Sequence, residues 1–205
     1  MQILEIVEKV ADVINQEKDY LSELDRVIGD SDHGINLSRG FQKLIEEKDS
    51  LKDLNCSDFF NKIAMVLISN VGGASGAIYG TGLMKVAQSL KGKENLDLDT
   101  VIIASDAMLA GIKMRGKAEA GEKTMLDTIV PSVEALKQNK DKEFSVILEN
   151  VELAAKTGME STKDMLATKG RASYLGERSI GHIDPGAMSS YLIIKTICEN
   201  LKVGE

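Results

Sequence analysis

The chain has 205 residues, which at roughly 150 residues per domain predicts one domain, residues 1–205, able to bury a core without disulfides or a structural metal. Apolar residues are 43% and charged residues 28% of the chain, so global disorder is excluded. With 25 Lys and Arg against 32 Asp and Glu the net charge is -7, and an acidic chain lacks the basic footprint that a nucleic-acid partner requires.

The opening MQILEIVEKVADVI carries acids in its first turns, unlike a secretory signal. Its Ile3, Ile6, Val7, Val10 and Ile14 repeat at three and four residues, which predicts a helix with one apolar face. Leu37, Phe41, Leu44 and Ile45 mark a second helical face, and Phe59, Phe60, Ile63, Val66 and Leu67 a third. Ser57 and Asp58 are expected to cap that third helix. Val101, Ile102 and Ile103 could open a strand, but the Ala- and Met-rich continuation to Ile112 predicts a buried helix. Ile147, Val151, Ala154 and Ala155 mark a further helix, and Asp184-Pro185 opens a last one through Tyr191, Ile194 and Ile197. With only 2 prolines, long helices are permitted. No run of about 18 apolar residues predicts a membrane span. The residues therefore predict an all-α domain of about eight helices, placed in the cytosol. Cys56 and Cys198 stand far apart with no Cys-x-x-Cys partner, so neither a disulfide framework nor a zinc site is expected.

Glycines interrupt this pattern in clusters, and helix N-termini at such junctions offer free N–H groups to anions. The first cluster holds Asp25, Asp30 and Asp32, with Gly29 and Gly34 beside them and His33 following. Three carboxylates so close repel one another unless a cation joins them. An all-oxygen set suits Mg²⁺ or Ca²⁺. The spacing is not that of an EF-hand, because the loop glycine comes one place early and no glutamate closes it. The alternative is an acidic turn that caps a helix.

In the second cluster, residues 71–82, small residues around Ala74 and Ser75 are expected to form a loop that opens a helix from Leu83 and cradles phosphate. Close helix–helix packing explains the same composition equally well. Gly111 to Lys117 imitates a phosphate-binding P-loop, but Ala118 stands where the metal-holding hydroxyl belongs, so that reading is rejected. Gly116 is kept as a candidate loop glycine. At 121–127, Thr124 could donate to a phosphate and Met125 could pack on a base, or the segment could be a charged helix start running to a kink near Pro131. Arg171 lies in a small-residue loop and suits a phosphoryl oxygen, the alternative being an ordinary surface arginine. No nucleophile is evident. Carboxylates, glycine-rich junctions and a cation together describe phosphoryl transfer.

Four blocks carry a resemblance: GDSDHGINLSRGF, GGASGAIYGTGL, GEKTMLD and TKGRASYLGERSIGHIDPGAMS. In this order they resemble the nucleotide-binding L-subunit family of dihydroxyacetone kinases over residues 25 to 189. Two departures are visible: Ser31 replaces the family's usual glycine, and Glu122 stands where Asp is commoner. The resemblance implies an eight-helix antiparallel barrel with the nucleotide at one end, in the helix-connecting loops. It implies two Mg²⁺ held by Asp25, Asp30 and Asp32. It places nucleotide phosphates at His33, Gly34, Ile35, Asn36, Ala74 and Ser75, and further nucleotide contacts at Gly116, Thr124, Met125 and Arg171. Asp184, Pro185 and Gly186 fall at the nucleoside end. Asp25, Asp30, Asp32 and Arg171 are the implied catalytic set. No substrate-binding K domain is expected alongside these blocks. The resemblance therefore implies a phosphotransferase-system subunit that keeps ADP/ATP as a prosthetic group. A phosphohistidine M subunit would recharge it, and dihydroxyacetone on a K subunit would receive the phosphate. Exchange of free ATP with a K subunit in trans, or ADP-loaded binding to a transcription regulator, are the alternatives. A homodimer is left open.

Overall fold

The computed structural model describes residues 2–93 and 95–202. Among them no strand occurs, so the segment at 101–103 is helical as expected. The helices are α1 (Gln2–Gln16), α2 (Lys18–Ile28), α3 (His33–Glu46), α4 (Cys56–Asn70), α5 (Gly73–Ser89), α6 (Leu98–Gly116), α7 (Leu126–Gln138), α8 (Phe144–Ser161) and α9 (Pro185–Lys202). Only Glu17 separates α1 from α2, so the expected count of eight is met when these two are taken as one broken rod. Single-turn or irregular 3₁₀ segments lie at Lys48–Leu51, Thr162–Asp164 and Arg171–Ser179.

Local chemistry sets several boundaries. Asn55 caps α4: its side chain accepts from the Asp58 N–H at 2.9 Å, and its amide donates back to the Asp58 carboxylate at 2.8 Å. The cap thus lies two residues before the expected Ser57-Asp58, because Asn55 has the extended backbone that a cap needs. Asp97 caps α6 through the Thr100 N–H at 2.8 Å. Asp184 caps α9 through the Ala187 N–H at 2.7 Å, as the sequence predicts. Pro131 sits inside α7, and the segment 121–125 before it is a turn rather than a helix start.

Of the two forms expected for the small-residue stretch, a loop opening a helix at Leu83 or close helix–helix packing, most of it takes the second. Helix α5 begins at Gly73, not at Leu83, so most of the stretch is helix interior. Its glycines admit neighbouring backbones. A β-carbon on Gly76 would fall 2.5 Å from the Val71 carbonyl oxygen, and Gly82 lies so close to α6 that a β-carbon on Gly111 of that helix would fall 2.9 Å from the Gly82 Cα. Packing has overridden the low helix propensity of glycine.

Each helix from α3 onward packs on the next in chain order, α3 packs back on α1, and α9 packs on α1, which closes a ring. Ile14, Leu21, Leu37, Leu44, Ile112 and Leu126 contribute to the core inside it. Helix α6 is only partly inside: Ile112 is buried but Ile103 is 52% exposed, so the buried helix expected there buries one face and leaves apolar side chains on the other. Four connections, α2–α3, α4–α5, α6–α7 and α8–α9, all contribute residues to one cleft. Alternate connections at one end mean that successive helices run in opposite directions. This is the neighbour order that an antiparallel barrel requires.

Candidate functional site

The cleft has a volume of about 510 Å³, within the range of small-molecule sites. Its acidic end is built by the α2–α3 junction. Asp25 is buried in the last turn of α2, where its carboxylate accepts the N–H groups of Asp32 (2.9 Å) and His33 (3.2 Å). Gly29 ends α2, and a β-carbon there would lie 2.0 Å from the Asp25 carboxylate. Ser31 turns the chain at a left-handed φ of 66°, which costs a serine about 1–2 kcal/mol. The Asp32 side chain makes no capping bond to α3. The result brings one carboxylate oxygen from each of Asp25, Asp30 and Asp32 to within 4.8 Å of the others. Three hard oxygen ligands at this spacing fit a divalent cation that completes its shell with water and phosphate. Arg171, from the α8–α9 connection, donates to the Asp30 carboxylate at 2.9 Å.

His33 opens α3 and is buried. Its Nδ1 shares a hydrogen bond with the Ser75 hydroxyl (3.3 Å), and its Nε2 shares one with the Ser189 hydroxyl (3.0 Å). Burial pushes the imidazole below its ordinary value, while the carboxylates of Asp25 and Asp32 pull it up. Behind it the Tyr79 hydroxyl meets Ser189 at 3.2 Å and Ser190 at 2.7 Å. Both His33 nitrogens are thus held by hydroxyls, which fixes the ring between α5 and α9. Asn36 lines the cleft one turn further along α3, and Arg39 donates to its side-chain oxygen at 2.9 Å.

The other end is built by two loops. In 121–127, the buried Asp127 carboxylate accepts from the Thr124 N–H at 2.7 Å and from the Gly121 N–H, which folds the turn back on α7. Opposite it stand Asp184, Pro185 and Gly186. A β-carbon on Gly186 would lie 3.7 Å from that of Met125, so the two loops face each other closely there. Burial raises the Asp184 carboxyl to about 7. The Ala187 N–H and the Lys123 ammonium pull it down, and Asp127 pushes it up.

Of the residues singled out in the sequence, Asp25, Asp30, Asp32, His33, Asn36, Ala74, Ser75, Gly116, Thr124, Met125, Arg171, Asp184, Pro185 and Gly186 line this cleft. Gly34 and Ile35 are not among its lining residues. Gly34 lies against the Lys18 carbonyl, where a β-carbon would come within 1.9 Å, and Ile35 is 54% exposed with its N–H on the Ser22 hydroxyl. Gly116 is the last residue of helix α6 rather than a loop glycine. Sequence reasoning passed over Arg115 and Lys123, which also line the cleft. For Lys123 the only local signal is its left-handed backbone, φ 61°, which a sequence does not display.

A family model described as the DAK2 domain matches residues 27–199, and the chain belongs to the DAK2 domain family. It is 41% identical over 198 residues to the PEP-dependent dihydroxyacetone kinase, ADP-binding subunit DhaL, of Escherichia coli (strain K12), covering 96% of this chain and 94% of that one. It is 43% identical over 196 residues to the PTS-dependent dihydroxyacetone kinase, ADP-binding subunit DhaL, of Lactococcus lactis subsp. lactis (strain IL1403), covering 96% and 95%. The solved dihydroxyacetone kinase of C. freundii in complex with AMP-PNP and Mg²⁺ matches with a TM-score of 0.75 at 25% identity, over 96% of this chain and 33% of that one. This chain therefore spans about a third of that kinase. Among the described residues no helix is long and apolar enough to cross a membrane.

Proposed function

We propose that residues 1–205 act as one domain, the ADP/ATP-binding subunit of a phosphoenolpyruvate-dependent dihydroxyacetone kinase located in the cytoplasm. Residues 1, 94 and 203–205 of that domain lie outside the described structure. The observation that carries the reading is the meeting of Asp25, Asp30 and Asp32 beside Ser75 at the start of α5, in one cleft. The role of its relatives as ADP-binding subunits of dihydroxyacetone kinases supports it.

On this reading Asp25, Asp30 and Asp32 hold two Mg²⁺, which supply the positive charge that an acidic chain needs to accept a polyphosphate. The α5 N-terminus, with Ala74 and Ser75, presents N–H and hydroxyl donors to the phosphates. His33, Gly34, Ile35 and Asn36 supply the corresponding first turn of α3, with Gly34 and Ile35 contributing backbone rather than cleft-facing side chains. Gly116, Thr124 and Met125 form one wall for the nucleoside, and Asp184, Pro185 and Gly186 the other. Arg171 is 71% exposed at its side chain, so it is free to leave Asp30 for a phosphoryl oxygen. Positioning and charge neutralisation then do most of the catalysis. The phosphate comes from a phosphohistidine on an M subunit, resides on the bound nucleotide, and passes to dihydroxyacetone on a K subunit.

Reconstitution tests this. With K, M, the general phosphotransferase proteins and phosphoenolpyruvate present, dihydroxyacetone phosphate is expected, and Asp30→Asn is expected to weaken ADP binding in Mg²⁺ by about tenfold or more. Unchanged ADP affinity in that variant removes the metal assignment. Turnover on free ATP without M replaces the relay by an exchanging kinase.

A further inference from the structure

Lys123 is 1% exposed and has no part in the chemistry above. Its ammonium donates to two main-chain carbonyls, those of Thr162 (2.6 Å) and His182. These belong to the turn that follows α8 and the segment that precedes α9. The same two segments are tied to each other by the Gly181 N–H on the Lys163 carbonyl (2.7 Å) and the Asp184 N–H on the Thr162 hydroxyl (3.1 Å). Lys123 thus plugs a seam between three stretches of chain that are far apart in sequence.

The arrangement is costly. A buried ammonium loses its hydration, and a lysine at a φ of 61° sits where L side chains are strained. Such strain persists where the surroundings over-determine it, and it clusters at ligand sites. A glycine would make the turn without strain, and an apolar side chain would fill the space without desolvating a charge. What lysine alone supplies is a long cationic donor that reaches two carbonyls at once. Its neighbours Thr124 and Met125 line the cleft, and so does Asp184, two residues after His182. Burial pushes the ammonium below its ordinary value, and the carboxylates of Asp184, Asp164 and Asp127 oppose that shift.

We propose that Lys123 is a positioning residue for the nucleoside end of the cleft: its buried ammonium locks the 121–127 turn to the 162–164 and 181–184 segments. That lock holds Thr124 and Met125 opposite Asp184, Pro185 and Gly186. The inference rests on the nucleotide reading above and adds a division of labour to it. The phosphate end stands on α2, α3 and α5, joined by Arg171 from between the locked segments 162–164 and 181–184, and the Lys123 ammonium makes no hydrogen bond to any of these. Removing the ammonium therefore loosens recognition of the nucleoside and spares that of the phosphates.

Calorimetric titration with ADP and with inorganic pyrophosphate, each in Mg²⁺, reads this out. In Lys123→Met, ADP affinity is expected to fall by about tenfold, while pyrophosphate affinity stays within about twofold of wild type. Equal losses for both ligands would show general loosening and overturn the proposal, as would an unchanged ADP affinity. Lys123→Ala provides a second route if the methionine variant does not fold. Added propylammonium, and not propanol, is expected to restore the preference for ADP over pyrophosphate. Restoration by both additives, or by neither, overturns the assignment. A wild-type chain with equal affinity for ADP and pyrophosphate has no nucleoside end and sinks the nucleotide reading itself. A wild-type preference that survives in Lys123→Met overturns the positioning role alone.

Discussion

Asp184 does two jobs that pull against each other. It caps α9 by accepting from the Ala187 N–H, which favours the charged carboxylate, yet burial lifts its carboxyl from 3.8 to about 7. Between those values the folded chain keeps a proton that the unfolded chain has released. Its contribution to stability is therefore present below the ordinary value and is lost as pH rises through about 7. Asp184→Asn keeps a capping oxygen and cannot titrate. Urea denaturation of both proteins from pH 4 to 8 should show wild type losing stability relative to the variant as pH rises; a constant difference across that range would remove the assignment. At this scale the sequence was informative where partners are close in number. Asp25, Asp30 and Asp32 fall within eight residues, so their meeting could be anticipated. The partners of Lys123 are carbonyls 39 and 59 residues away, and every residue type offers a carbonyl, so no pattern marks them.

Helices α7 and α8 touch where α8 has no side chain. A β-carbon on Gly158 would lie 2.1 Å from the Asp127 carbonyl oxygen and 2.9 Å from the Pro131 ring. The obstacle is backbone, so the helices must separate. Overpacking of this kind costs about 1–3 kcal/mol, and for a chain of this size each kcal/mol lowers Tm by about 2–4 °C. Gly158→Ala should thus melt several degrees lower. In Gly116→Ala the new carbon meets nothing closer than the Ile78 Cδ1 at 3.8 Å, and Tm should hold. Equal melting of the two would refute the contact argument. The same physics explains why element boundaries are hard to place from the sequence. In residues 73–82 glycine signals a loop by propensity, but α4 and α6 press on those glycines and make them helix. At 121–125 spacing alone leaves a phosphate-contacting segment and a charged helix start equally open, and the Asp127 carboxylate decides for a turn by accepting two of its N–H groups.

The closed ring is the least local feature of the molecule. Periodicity predicts helices and their apolar faces, but it does not say which helix meets which, and the barrel expectation came from family resemblance alone. The contact of α9 with α1 is what completes it. Strict alternation puts the α2–α3, α4–α5, α6–α7 and α8–α9 connections around the cleft. It follows that α1 begins, and α9 ends, at the opposite end and on adjacent helices. A peptide linker joining them would convert the chain into a covalent circle without touching the cleft. By the chain-entropy estimate for closing so long a loop, the unfolded state would lose about 5 kcal/mol of conformational freedom. The cyclised protein should resist denaturant further than its linear parent and bind ADP with the same affinity; a gain in stability accompanied by lost binding would mean that the two ends of the barrel are mechanically linked.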